Sequence, residues 1–589
     1  MMEILEGGTG RALSDGAVLR MDDDSLRAGD VVLAVARSDG GARVLSVLGA
    51  AGTAGAEMAR VVAAHALSME YSPAVLSDVD QILRDPGIHD PTLQDLTHLP
   101  FVTIDGEGAR DLDQALFIQR AGGGYLVRYA IADASWYVRP GTALFEEALS
   151  RGASFYLPGL VVPMLPRPLS EGIVSLGAGE PRRALVLALE LDGTARCVRV
   201  AFVRARIRSA AALSFDQVQR WYDAPAMSPL GGSPFCESLA LLREVGRLRL
   251  VEARDRDVVS YQRAEMVVRI GDEGFGFSVV ADVRSEVELY NEQISLMANV
   301  EGARLMVSHG ARAAWRVHPA PSDGRLVALE RLIAGIVTSH RLDPAVWRWR
   351  RRRSPADHRG IPLADYLARI RAAGGHERIR AAIERAAMVS NVRSTFSPEL
   401  GPHYGVGAPA YARLTAPMRE VVGVHTHAEA LAAVGAAGAG GWDDLDLLDR
   451  VIAAGNKARE VQRRLTKAAN KVVIDHLLGA DLAQPEDVRP WRRATVVEVQ
   501  SARAYVHLDS PPIEIKVYQD DLGERPRVTL GGAVLALDPD TTLRVGAAVD
   551  VQVIGYEERS DRWRFDLRVV AEESRSKRRR AAPTGRRAP

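Results

Sequence analysis

Three aspartates stand close together in FVTIDGEGARDLDQALFI: Asp105, Asp111 and Asp113. The apolar runs on either side of them read as strands, so Asp105 ends one strand and Asp111 and Asp113 lie where the next begins. Residues two apart on a strand face the same way. Three carboxylates can therefore converge on one point, and Asp133 ends a later strand of the same expected sheet. Hard oxygen donors at a loop suit magnesium, or manganese in its place, since these ions bind phosphate through few carboxylates and several waters. Such ions can activate a water and steady the leaving oxygen in phosphodiester hydrolysis. The competing reading is a set of turn aspartates that cap their own backbone. An EF-hand fits worse, because the loop lacks the required Gly and the closing Glu.

A second group of residues is cationic. Arg459, Arg463, Lys467 and Lys471 are spaced four apart on an expected helix, which winds them into a stripe about 18 Å long, enough for roughly three backbone phosphates. A solvated helix face is the alternative. WRWRRRR (347–353) interleaves Trp with Arg and offers either a second nucleic-acid contact or a plain basic patch. Five lysines accompany seventy arginines. Arg forks onto phosphates better than Lys does, but a coding bias toward Arg accounts for the total, so its clustering carries the information.

The elements that must position these groups can be read from periodicity. VVLAVA and ARVLSVL flank an SDGG turn, a small β unit over 1–55 that is expected to form an OB-like (cold-shock-like) barrel. Residues 56–94 read as a helical connector, with Ser72 and Ser77 as candidate caps. Strands and turns alternate over 101–200, and 210–480 reads as mostly helical with a Gly-rich break at 435–441. WDDLDLLD (442–449) suits the first turn of a helix, where acids oppose the dipole. Short strands at regular spacing over 487–572 suggest a second small closed barrel of OB type. The tail 573–589 is basic, contains proline and is expected to be disordered.

Bulk properties narrow the class. Apolar residues make up 47% of 589 and charged residues 25%, with 75 basic against 75 acidic side chains, so no global field advertises a nucleic-acid partner. No apolar run is long enough for a membrane span and no apolar leader opens the chain. Cys197 and Cys236 cannot make a disulfide framework or a zinc site. A cytosolic protein is expected, without membrane or disulfide-linked partner.

IDGEGARDLDQA, YAIADASWYV, RGASFYLPGLVVPMLPRPLSEGIVSL, WRVHPAP and GPHYGVGAPAYARLTAPMRE follow one another in this order. Together they resemble the RNB catalytic domain of the ribonuclease II / ribonuclease R family, over about 95–480. The resemblance implies an α+β multidomain fold, an RNB-like catalytic domain flanked by small OB-fold β-barrels. It also implies a monomer that degrades single-stranded RNA from the 3′ end by magnesium-dependent hydrolysis, releasing nucleoside 5′-monophosphates. By position, the family's acidic cluster falls on Asp105, Asp111, Asp113 and Gln114, with Asp113 central to catalysis. The family arginine falls on Arg419 in TAPMRE, where a guanidinium can fork onto the scissile phosphate. Tyr156 resembles the tyrosine that stacks on the terminal base. Arg316, His318, His403 and Tyr404 match strings that contact RNA, and the 487–572 barrel is expected to bind RNA as well. Only one barrel precedes the catalytic domain, which implies a weaker grip on long RNA.

The chain also departs from the family. Gln114 offers an amide where a carboxylate is usual, so one metal is expected to be held less tightly. Val421, Gly423 and Asn470 replace a Tyr, an Asp and a Glu. These changes leave open a catalytically impaired RNA-binding protein on the same fold.

Overall fold

The structure is a computed structural model that describes residues 1–255, 265–270, 276–282, 284–353, 357, 359–436, 442, 444–523, 526–538 and 540–570. The tail 573–589 and most of the Gly-rich break at 435–441 lie outside the described residues. The described residues pack as two compact units: those within 1–321, 363–365 and 391–476, and those within 322–362, 366–390 and 477–570.

The first unit opens with a closed five-stranded barrel. Its ring order is Met2–Leu5, Thr9–Ala12, Val18–Met21, Gly41–Gly49, Val31–Ala36 and back to the first strand. Met2, Ile4, Met21, Val32 and Ala42 fill it, the inward half of a period-two pattern. Two capped helices follow, Ala54–Ala64 behind Thr53 and Pro73–Arg84 behind Ser72.

The sheet that carries the aspartates runs Pro181–Leu191, Gly124–Ala132, Gln114–Ala121, Phe101–Asp105, Cys197–Ser214, Gln94–Asp95. The 18-residue strand Cys197–Ser214 pairs antiparallel with Pro181–Leu191 and parallel with Phe101–Asp105, so the sheet closes on itself. Alternation along the strands feeds two cores. Val102, Leu116, Tyr129 and Leu187 pack toward the helix Glu286–Ser308. Phe101, Ala115, Ala130 and Val186 pack toward the helices Ala143–Arg151 and Val421–Ala433. A sheet buried on both faces holds its strand ends, and whatever projects from them, in one place.

Asp133 does not join the other aspartates. Fully buried, it pairs with Arg204 at 3.1 Å and Arg183 at 3.4 Å, and Trp136 covers the Arg183 guanidinium at 3.7 Å. The stretch expected to be mostly helical also contains two hairpin-like pairs, Glu265–Ile270 with Phe277–Asp282 and Trp315–Val317 with Thr395–Ser397. The second pair joins segments nearly eighty residues apart, which no local pattern announces.

In the second unit the helices Asp323–Ser339 and Glu377–Ser390, inside the range first assigned to the catalytic domain, group with the C-terminal sheet. Arg385 donates to Glu514 at 2.6 and 3.0 Å and to Glu498 at 2.8 Å. The sheet order is Glu514–Tyr518, Arg503–Leu508, Arg492–Gln500, Ala548–Glu557, Arg562–Val569. Among the described residues no ladder joins its two edges, which lie against each other across a seam. Asp521 occupies that seam, accepting from the Phe565 N–H at 3.2 Å and from Arg564. Trp347 and Trp349 are core residues at 4% and 2% exposure, so WRWRRRR presents no aromatic faces for bases.

His425 and His427 sit on the helix Val421–Ala433, and burial pushes both down to about 4. In the unfolded chain they take up protons near 6.5, so stability falls as the pH drops through 6.5 toward 4. Moving from pH 7 to 5 is expected to cost up to about 2 kcal/mol per buried histidine. His425→Phe, against the edge of Trp442, should shrink that acid loss in urea titrations at the two pH values. An undiminished loss refutes the assignment.

Candidate active site and nucleic-acid interface

Asp113 immediately precedes the strand Gln114–Ala121, and its backbone carbonyl accepts from the Ala132 N–H at 2.8 Å, which fixes it to the sheet. Its carboxylate is buried. Oδ1 accepts from the Met418 N–H at 3.1 Å, and Oδ2 accepts from Arg419 Nε at 2.5 Å. Burial raises this acid to about 6 against the pull of Arg419 and the Met418 amide, and the like charge of Asp111 adds to the rise. Asp113 in turn raises Arg419, with smaller contributions from Tyr156, Asp105 and Asp111. These five groups therefore share one electrostatic neighbourhood.

Tyr156 completes the group. The residue is 43% exposed, and its hydroxyl donates to Asp111 Oδ2 at 3.3 Å. Burial around that hydroxyl pushes the phenol well above its ordinary range. A backbone ladder sets Tyr156 beside Arg419: the Ser154 N–H donates to the Arg419 carbonyl at 2.9 Å, and Val421 N–H to the Gly152 carbonyl at 3.0 Å. Gly152 is in the left-handed region at φ +72°, and a Cβ there would stand 2.6 Å from the Ala454 carbonyl oxygen, so only glycine fits.

Asp105, at the end of its strand, accepts from the Gly106 N–H at 2.7 Å. Among the described residues no group of three or more His, Cys, Asp or Glu side chains is close enough together to hold a metal ion. Asp105, Asp111 and Asp113 match a hard cation in kind, yet as placed they share a neighbourhood rather than form a cage. Gln114 has a protein partner at each end of its amide: its Oε1 accepts from the Tyr129 hydroxyl at 2.5 Å and its Nε2 donates to the Thr415 carbonyl.

Residues 93–428 match the RNB domain. This chain belongs to the RNB family. It is 28% identical over 382 residues to ribonuclease R of Vibrio parahaemolyticus, covering 64% of this chain and 44% of that protein. It is 29% identical over 368 residues to exoribonuclease 2 of Klebsiella pneumoniae, covering 61% and 52%. The chain thus spans about half or less of the length of the curated relatives it matches. In fold it is similar to RNase R of Mycoplasma genitalium in complex with ribose-methylated single-stranded RNA, with TM-score 0.77 and 18% identity over 96% of this chain and 89% of that one. It is also similar to yeast Ssd1, described as a pseudonuclease, with TM-score 0.60 and 15% identity over 94% and 67%.

Beside the acidic group, the first unit gathers cations. Arg413 donates to Glu420 at 3.1 Å, and Arg316 and Arg459 both reach Ser394 Oγ, at 3.3 and 3.0 Å, while flanking Phe396. One acid faces three guanidinium groups. Burial and the repulsion of Arg316, Arg463 and Arg413 lower Arg459 to about 10. Such a surplus of desolvated positive charge suits a phosphate.

His318 and His403 pack edge to face at 5.1 Å, and Tyr404 closes on His318 at 6.0 Å. The His318 N–H donates to the Pro402 carbonyl and Tyr404 N–H to the His318 carbonyl, which zips the two motifs together. Burial and the nearby Arg316 push His403 down to about 3, so it is a neutral packing residue at physiological pH.

On the helix Leu445–Leu482 the four-cation stripe divides. Arg459 turns inward to Ser394, Lys471 pairs with Asp475 at 2.7 Å, and Arg463 and Lys467 are exposed. Gln462, between the two arginines, was not singled out by sequence reasoning. Its side chain accepts from the Tyr156 N–H and donates to the Tyr156 carbonyl, both at 3.1 Å. Glu420 was missed as well, although its place directly after Arg419 was a signal. Asn470 is exposed on the same helix.

If Arg463 and Lys467 contact phosphates, the Arg463→Ala/Lys467→Ala variant should bind all single-stranded sequences more weakly. Its slope of log affinity against log salt should flatten by about 0.7 per lost contact. Filter binding across a salt series measures it, and an unchanged slope assigns these residues to a solvated face.

Proposed function

We propose that this chain is a hydrolytic 3′-to-5′ exoribonuclease that cleaves single-stranded RNA to nucleoside 5′-monophosphates. The observation that carries this reading is the assembly of Tyr156, Asp111, Asp113 and Arg419 at one point beside a cationic cluster. The names of the curated relatives and the RNA-bound structure similar in fold support it.

In this reading Tyr156 packs on the terminal base. Arg419 spends Nε on Asp113, and its remaining N–H groups fork onto the scissile phosphate to take up charge in the transition state. Asp113, raised to about 6, is suited to orient the attacking water and hold its proton. Water then adds to phosphorus while the 3′ oxygen of the preceding nucleotide leaves. Asp105, Asp111 and Asp113 would hold magnesium, or manganese, whose charge lowers the cost of forming hydroxide. Arg316, Arg413 and Arg459 guide the backbone.

The C-terminal sheet provides further contacts. Arg503 and Lys516 flank the Tyr505 ring, Arg562 covers Tyr518 at 4.3 Å, and Arg568 covers Trp491 at 3.7 Å. Aromatic faces beside cations are what single strands bind. No helix among the described residues is long and apolar enough to cross a membrane. A cytosolic monomer is the simplest setting for this activity.

A second reading, an RNA-binding protein without turnover, is favoured by the aspartates' lack of a preformed metal cage. Magnesium-dependent release of labelled mononucleotides from a uniformly labelled single strand selects the enzyme, and tight binding without release selects the alternative. Within the enzyme reading, Asp113→Asn should lower turnover by at least about a thousandfold with RNA affinity retained, because the lost contacts act in the transition state. Near-wild-type cleavage by that variant removes Asp113 from the chemistry.

A further inference from the structure

Gln114 lies next to the most deeply buried carboxylate of the site, and its amide has a defined orientation. A backbone carbonyl can only accept, so the NH2 end must face Thr415, and the amide oxygen is left for the Tyr129 hydroxyl. The Thr415 carbonyl belongs to the loop Leu414–Arg419, which delivers both of Asp113's partners.

The same loop is held from below by Asn299, which is fully buried on the helix Glu286–Ser308. Its Oδ1 accepts from the Leu414 and Thr415 N–H groups at 2.7 and 3.2 Å, and its Nδ2 donates to Thr415 Oγ1 and the Tyr411 hydroxyl, both at 2.9 Å. Behind the loop, the helix Val421–Ala433 approaches so closely that a Cβ on Gly423 would stand 2.9 Å from Pro417 Cα. Asn299, Gln114 and Gly423 thus bear on one six-residue segment from three sides.

We propose that Gln114 is a positioning residue: its amide, strung between the Tyr129 hydroxyl and the Thr415 carbonyl, locks the Leu414–Arg419 loop so that Met418 N–H and Arg419 Nε address Asp113. A carboxylate at 114 cannot do this, because it has no hydrogen to donate and would set oxygen against the Thr415 carbonyl oxygen. Gln114 is in this role a replacement in function, not a weakened ligand. Gly423 is its counterpart, since any side chain there would press on the same loop. The activity arm of the test rests on the exoribonuclease reading above, and the structural arm does not.

The test compares wild type with Gln114→Glu, which keeps length and loses the donor, and Gln114→Met, which keeps shape without polarity. Tyr129→Phe keeps the bond to Thr415 and removes the hydroxyl that supports it, which also meets Ser295. Each protein is measured for kcat and KM on a short single-stranded RNA with magnesium, for amide hydrogen exchange over 412–420, and for its melting midpoint. Losing one buried bond to the loop should raise exchange there and lower kcat by about tenfold each in both Gln114 variants, with KM within about twofold and the melting midpoint kept. Tyr129→Phe should show a smaller effect of the same kind. Wild-type exchange over 412–420 in Gln114→Glu and Gln114→Met overturns the proposal. So does a Gln114→Asp variant that reaches half-maximal rate at lower magnesium, the mark of a restored ligand. If wild type releases no nucleotide, the exoribonuclease reading fails by itself, and the exchange arm still decides whether Gln114 holds the loop.

Discussion

The site depends on one ion pair, the buried Asp113 with the partly exposed Arg419. Taking a carboxylate and a guanidinium out of water is expensive, and their attraction offsets the cost only where the geometry is fixed and the other hydrogen-bonding positions are filled. Asp113 meets that condition with the Met418 N–H on its second oxygen and a backbone bond to Ala132. Burial still leaves it near 6 rather than in the ordinary carboxylate range. An acid in that state is sensitive to small displacements of its partner. Much of the surrounding structure therefore serves to keep a loop still: the ladder through Gly152 and Ser154, the Asn299 peg, the Gln114 amide and the close approach at Gly423.

That dependence explains which parts of the molecule were legible in the sequence. The barrel over the first fifty residues and the strands carrying the aspartates announced themselves by alternation and Gly-rich turns, which are local signals. Asp111 and Asp113 were readable as neighbours of Tyr156 and Arg419 only through motif order, since their partners lie up to three hundred residues away. Asn299 and Gln462 left no signal of their own, because a single amide in a helix looks the same whether it faces solvent or pins a distant loop. Asp133 misled for the same reason. Its place at a strand end matched that of Asp105, but the charges that claimed it, Arg183 and Arg204, come from strands paired much later in the chain.

The cationic residues show a similar division. Spacing alone made Arg459, Arg463, Lys467 and Lys471 equivalent, whereas the fold turns Arg459 toward Ser394 and Phe396 and gives Lys471 an acidic neighbour one turn on. Helical periodicity fixes which face a residue occupies but not what meets that face. The departures from the family pattern follow the same logic. Gln114 and Gly423 read as losses when only ligand chemistry is considered, and as supports once the position of the Leu414–Arg419 loop is known.

The two β-rich ends differ in what they can offer a single strand. No Phe, Tyr or Trp precedes Tyr71, and the N-terminal barrel exposes Val18, Val35, Leu45 and Val47 instead. Aliphatic side chains supply no stacking face, and the acids of that segment outnumber its bases, so it offers bases no aromatic platform and phosphates no net positive charge. The C-terminal sheet has both, with tyrosines and a tryptophan each set against arginine or lysine. In the proposed function, stacking on bases would accordingly fall to Tyr156 and to the C-terminal sheet. Tyr156 is held at its backbone N–H and carbonyl by Gln462 and at its hydroxyl by Asp111. The residue that would meet the last base is thus tied to the acid beside Asp113, so that ordering the base and ordering the carboxylates are one event.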